Sequence, residues 1–145
     1  MAHAKDLLKN RGTDQIFYTN PDAMVETAIR LMADKNVGAL LVKSESDDIV
    51  GIITERDVLL KVAAREKNPK ITLVAEIMTE KVHRVQSKQS LEDCMEIMNK
   101  NGFRHLPVFE GDELLGMISV KDVLRQVIAE QRNIIGHLED YITGN

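Results

Sequence analysis

The chain repeats itself. Gly51, Thr54 and Asp57 recur as Gly116, Ser119 and Asp122 at an offset of 65. Farther upstream the offset is 66, pairing Met32 with Met98, Leu40 with Leu106, Val42 with Val108 and Thr13 with Thr79. Such a duplication constrains the architecture before any local reading does, because each copy must be the same supersecondary unit. The residue lost between the copies falls in a turn, Ser44-Glu45-Ser46-Asp47-Asp48 in the first and Glu110-Gly111-Asp112-Glu113 in the second. A hairpin tip is where a change of length is tolerated. At 145 residues the chain has the size of one compact domain, so the two copies are expected to share a core.

Both copies read in the same order: strand, helix, strand, strand, helix. A short extended piece, near Ile16 to Thr19 and again Val82 to Val85, precedes an amphipathic helix. Val25, Ala28, Ile29 and Met32 fall at helical spacing in the first copy, and Leu91, Cys94, Met95 and Met98 in the second. Pro21-Asp22 and Ser90 are suitable starts for these helices, and Asn36-Val37-Gly38 and Asn101-Gly102 suitable stops. Two apolar strands follow, 39–42 with 49–53 and 105–109 with 114–118. Each copy closes on a helix carrying Val58, Leu59 and Val62, or Val123, Leu124, Val127 and Ile128. Residues 65–70 read as a solvated linker, and Leu73 to Met78 as a single helical turn. Flanking helices are expected at Ala4 to Asn10 and at Glu130 to Ile142, the latter with an apolar stripe that needs cover. This is a mixed α/β (α+β) fold of two β-α-β-β-α repeats, with residues 1–66 as the first and 71–145 as the second.

Composition narrows the function. A net charge of -4 argues against nucleic acid as the main partner, since binding its phosphates needs a basic surface that releases counterions. The lone Cys94 excludes an internal disulfide and fits a reducing compartment, where such a thiol usually packs as a small apolar group. No apolar run approaches the roughly 20 residues of a membrane span, and the N-terminus has no signal-peptide stretch. The cytoplasm is the expected location. The four histidines are scattered without metal-ligand spacing, the methionines read as core filler, and no nucleophile has a recognisable base. Neither a metal site nor catalysis is expected.

Two clusters carry the chemistry. In Gly51-Ile52-Ile53-Thr54-Glu55-Arg56-Asp57 and Gly116-Met117-Ile118-Ser119-Val120-Lys121-Asp122, a strand runs into a helix. A hydroxyl followed three residues on by an acid resembles a capping box, which would satisfy orphan backbone donors and nothing more. Capping does not account for Arg56 and Lys121, cations in a first turn that opposes them unless an anion is bound. Hydroxyl, cation and free amides make a phosphate cradle, and Asp57 or Asp122 could accept hydrogen bonds from the vicinal hydroxyls of a ribose. The second cluster is Gly102-Phe103-Arg104-His105-Leu106-Pro107-Val108, where Arg104 can grip a phosphate bidentately and His105 can donate from its ring. The first copy has Val37-Gly38-Ala39 there instead, small residues that leave room, so the two sites are unequal.

These residues resemble a known family. From about Thr13 to Ile128 the chain is similar to two tandem CBS domains, a Bateman module, whose signature is Gly, two apolar residues, Ser or Thr, two variable residues and Asp. Both copies have it, although Leu41 stands in the first where the second has Pro107 of the Leu-Pro-Val strand. The resemblance implies a pseudo-twofold disc with clefts for adenosine derivatives: AMP, ADP, ATP or NAD. It places Asp57 and Asp122 at the ribose and Thr54, Ser119, Arg56 and Lys121 near the phosphate. The adenine would lie against Ile16, Val37 and Ala39 in one site, and Val82, Phe103 and His105 in the other, with Gly38, Arg104 and Pro107 alongside. Thr13 and Thr79 match a position that often touches the ligand. The C-terminal Leu138-Glu139-Asp140-Tyr141-Ile142-Thr143-Gly144 is similar to small stand-alone CBS pairs, for which homodimers are the habit. The implied role is a nucleotide-sensing regulator of its own dimer or of a protein partner. The alternative is a ligand-free interaction module in which both motifs only cap helices.

Overall fold

A computed structural model describes residues 2–8 and 16–143, so Thr13 lies outside the described residues. The order is a 3-10 turn at Ala4–Leu8, β1 (Tyr18–Thr19), α1 (Val25–Lys35), β2 (Ala39–Lys43), β3 (Ile49–Thr54) and α2 (Glu55–Val58). A π turn at Leu59–Ala63 continues α2; then come α3 (Val74–Ile77), β4 (Val85–Gln86), α4 (Leu91–Asn101), β5 (His105–Glu110), β6 (Glu113–Ser119) and α5 (Val120–Thr143). Each repeat builds a three-stranded sheet with its middle strand in the centre, β1-β2-β3 and β4-β5-β6. The first strand runs parallel to the second, across the helix, and the third returns antiparallel through a hairpin. The expected fold class is present in both copies.

Local chemistry explains most boundaries. Asn36 and Gly102 end α1 and α4 in the left-handed conformation, as the Asn and Asn-Gly stops predict. Ser90 caps α4 by accepting from the Asp93 amide. The first copy departs from expectation: Pro21-Asp22 makes a turn held by Asn20, and α1 begins after Met24 with no side-chain cap. Pro107 shapes the second sheet. In the first, the Leu41 amide donates to the Phe17 carbonyl and Tyr18 pairs with Leu41. Proline has no such donor at the equivalent place, so β4 starts one register step later, with Val85 opposite Val108.

Two compact units emerge, one of Ile16–His83 and one that joins the N-terminal turn to the described chain from Arg84 onward. The N-terminal turn, expected to belong to residues 1–66 as part of the first repeat, packs on the second. The Ala4 amide donates to the Gln89 carbonyl and Lys5 to Ser87, and Ala4 is fully buried among Val85, Cys94, Met98 and Val108. The first repeat shows the same docking, with the Val74 amide on the Ala23 carbonyl and Val74 and Ile77 in the cluster of Val25, Ala28, Leu40, Val42 and Ile53. Each sheet is thus covered by a short helical lead-in that the chain supplies from outside that repeat's own strands.

The second correction concerns the last helix. Separate helices over 123–128 and 130–142 are one, α5, of 24 residues running straight through Gly136. One glycine in a helix interior costs only about 1 kcal/mol, too little to stop it. Among the methionines, Met32 and Met98 are buried as core filler, but Met95, expected on the apolar face of α4, is exposed. No helix among the described residues is long and apolar enough to cross a membrane.

Cys94 is wholly buried, and its thiol is pushed up to about 11, first by desolvation and then by the neighbouring Asp93 charge, against a smaller lowering by a backbone hydrogen bond. The unfolded thiol ionises near 9.0, so the contribution of the neutral buried form is intact below that pH and is lost as pH rises towards about 11. Between pH 8 and 10.5 the wild type should therefore lose more stability in urea than Cys94→Ala does over the same interval. Equal slopes for the two proteins would contradict this.

Candidate functional site

Each signature motif sits at a corner where a strand turns into a helix. In the first repeat Ala39 lies opposite Thr54 in the β2–β3 register, and the Glu55 amide donates to the Gly38 carbonyl at 3.0 Å. In the second, His105 lies opposite Ser119 and the Val120 amide donates to the Arg104 carbonyl at 3.0 Å. The two clusters, far apart in sequence, are therefore neighbours in each copy, tied by the same backbone bond. Arg104, Lys121 and Arg56 are exposed there, while Ala39 and Pro107 are buried.

The acids are turned inward: Asp57 is 7% exposed and Asp122 6%. Asp57 completes a capping box. Its Oδ2 accepts from the Thr54 amide at 3.0 Å and the Thr54 hydroxyl at 3.2 Å, while Thr54 Oγ1 accepts from the Asp57 amide at 3.2 Å. Asp122 repeats this, with its Oδ2 at 2.7 Å from the Ser119 amide and 3.0 Å from the Ser119 hydroxyl. The capping alternative is thus physically present, and a ligand would have to share these carboxylates with their own helix starts.

Asp57 has further partners. Thr79 donates its hydroxyl to Oδ1 at 3.2 Å, and Lys61 Nζ stands 2.9 Å from the same oxygen. Thr79 itself is strapped to β3 by a reciprocal backbone pair with Ile52, 3.0 and 2.8 Å. Thr79 thereby belongs to the corner of the first repeat. Gly51 makes the strap fit, since a Cβ there would come 2.8 Å from Met78 Sδ and 3.0 Å from the Thr79 carbonyl oxygen. Gly116 is the counterpart: a Cβ there would come 2.9 Å from Leu8 Cδ2 of the N-terminal turn. Close approach of backbone thus demands the signature glycine in the first copy, whereas in the second only the end of a side chain stands in the way.

Lys61 is the residue that sequence reasoning missed. Its amine also donates to the Ile77 carbonyl at 2.9 Å, joining the Asp57 corner to α3. A base four residues after an acid on a helix was the available signal. Gln126 stands at the matching place in the second repeat, so the two corners differ in charge. Lys61→Met should cost about 1 kcal/mol in a urea titration, because it removes a charged hydrogen bond from a buried carboxylate at a half-exposed position. Gln126→Met should cost almost nothing, and equal losses would contradict the role given to Lys61.

The remaining candidates are placed as follows. Ile16 is buried, and Val37 packs against the core cluster of the first repeat. Phe103 packs in the same way against the cluster of the second. Val82 lies in the unit of residues 16–83, whereas Phe103 and His105, expected to share an adenine wall with it, lie in the other unit.

The profile of the CBS domain matches residues 4–64 and again 74–129. The chain belongs to the CBS-domain family. A CBS-domain-containing protein of Arabidopsis thaliana, CBSX3, described as mitochondrial, is 36% identical over 96% of this chain and 71% of its own length. Among solved structures, a CBS-domain protein of Burkholderia ambifaria MC40-6, provisionally assigned to signal transduction, is 44% identical with a TM-score of 0.82, covering 90% of this chain and 96% of its own. A hexameric CBS-CP12 protein from bloom-forming cyanobacteria is 32% identical with a TM-score of 0.76, covering 86% of this chain and 70% of its own.

Proposed function

We propose that the chain is a regulatory module that binds an adenine nucleotide, AMP, ADP, ATP or NAD, and catalyses no reaction. The observation that carries this reading is the repeated corner: an inward carboxylate and a hydroxyl at a helix start, joined by a backbone bond to the strand start beside them, with an exposed cation one residue before the acid. Asp57 and Asp122 accept from ribose hydroxyls, and Arg56, Lys121 and Arg104 face the phosphate. The Burkholderia ambifaria relative, with its provisional link to signalling, supports a regulatory role. Binding would shift the packing of the ligand-bearing corner and so alter what a protein partner meets. The lone buried thiol favours the cytoplasm. The chain also pairs with a second copy of itself, a reading supported by the hexameric relative.

A second reading keeps the motifs as caps alone, and the complete capping box at Thr54 and Asp57 favours it. Isothermal titration with the four nucleotides separates the two, using Asp57→Asn and Asp122→Asn. Asparagine still accepts from the helix-start amide but lacks the second acceptor oxygen that two ribose hydroxyls need. Nucleotide binding requires heat in the wild type and at least ~10-fold weaker affinity in the double variant, with each lost 1.4 kcal/mol counting tenfold. Silence with all four ligands leaves the cap reading in place.

A further inference from the structure

The apolar stripe of α5 has a spacing that ordinary burial against a globular core does not require. Leu124, Ile128, Gln131, Ile135, Leu138 and Ile142 follow one another at alternating steps of four and three, the a and d positions of a coiled-coil seam, with isoleucine at every a. The stripe is open over its whole length: Leu124 is 49% exposed, Ile128 48%, Ile135 55%, Leu138 56% and Ile142 80%. A stripe of this size facing water calls for cover.

We infer that α5 pairs antiparallel with α5 of a second copy, its two-helix seam centred on Gln131 and Ile135. The inference rests on the reading that the chain self-associates, and adds where and in which direction. Charge decides the direction. Arg125, Arg132 and Glu139 flank the seam at the e positions, all exposed, whereas the g positions are the apolar Val127, Ile134 and Tyr141. A parallel pair would set Arg132 and Glu139 against apolar g residues of the other helix and form no ion pair. An antiparallel pair sets e against e. With Ile135 opposite the partner's Gln131, Ile128 meets the partner's Leu138, Leu124 meets the partner's Ile142, and Arg125 faces the partner's Glu139 twice over. Arg132 faces its own copy at the wet rim, where like charges cost little.

Sedimentation velocity on the full chain tests this. Ile135→Glu with Leu138→Glu should raise the dissociation constant at least ~100-fold and leave the far-UV spectrum unchanged, since both positions are exposed within one chain. Arg125→Glu alone and Glu139→Arg alone should each weaken assembly, and the two together should restore it to within about threefold, which only facing e positions permit. A wild type that sediments as a monomer removes self-association altogether. An assembly that survives the double glutamate substitution leaves self-association standing and overturns the seam, and failure of the paired charge reversal to rescue overturns the antiparallel direction.

Discussion

Asp57→Ala is expected to lower the melting temperature by about 10 °C and to remove nucleotide binding at the first corner. The stability loss follows from what the carboxylate holds. Truncation removes the cap on the α2 amides, leaves the Thr79 hydroxyl without its acceptor, and strips Lys61 of its counter-charge. A lost cap costs about 1 kcal/mol and a buried charged hydrogen bond about 1.5–3 kcal/mol, which together come to about 3 kcal/mol. In a chain of this length that is worth roughly 10 °C. Asp57→Asn should retain most of the cap and lose about half as much stability while still losing the ligand. A melting temperature within 2 °C or so of wild type for the alanine variant would mean that the Asp57 network holds little.

Gly51→Val is expected to destabilise the first repeat by about 3 kcal/mol, at the upper end for overpacking a tight contact. The obstacle is backbone: the Thr79 carbonyl oxygen stands 3.0 Å from the new Cβ and is pinned by its reciprocal pair with Ile52. Met78 Sδ, at 2.8 Å, can swing away, but the strap cannot without giving up both bonds. Gly116→Val meets only the end of the Leu8 side chain and should cost about half as much. Urea titration of both variants measures the difference. Equal losses, or a larger loss at Gly116, would contradict the idea that the strap over β3 is what makes the first signature glycine necessary.

The sequence disclosed what is written in local spacing. Thr54 with Asp57 and Ser119 with Asp122 were readable because a hydroxyl three residues before an acid has a fixed meaning at a helix start. The neighbourhood of Arg104, His105 and Ser119 followed from the duplication, which made the antiparallel hairpin legible twice. What stayed hidden depends on connectivity or on small balances. Nothing in Ala4 to Leu8 says which sheet it will cover, because its apolar residues would suit either copy; only the backbone bonds to Gln89 and Ser87 decide. The junction between the helix that closes the second repeat and the one expected from Glu130 carries no turn residue, and the continuous backbone of α5 shows the two to be one. The late start of β4 needed the register, since a proline's missing amide matters only when the strand beside it would have asked for that hydrogen. Lys61 was overlooked because the carboxylate it serves had already been given to the helix start and the ligand.

The central claim is that this chain holds an adenine nucleotide at its helix-start carboxylates. Native mass spectrometry of the wild type with AMP, ATP and NAD at millimolar concentration tests it most directly. The account predicts a species heavier by at least one nucleotide per chain, absent when GMP replaces AMP and absent in the Asp57→Asn, Asp122→Asn double variant. Bare protein at every concentration, or adducts that persist unchanged in that double variant, would contradict it.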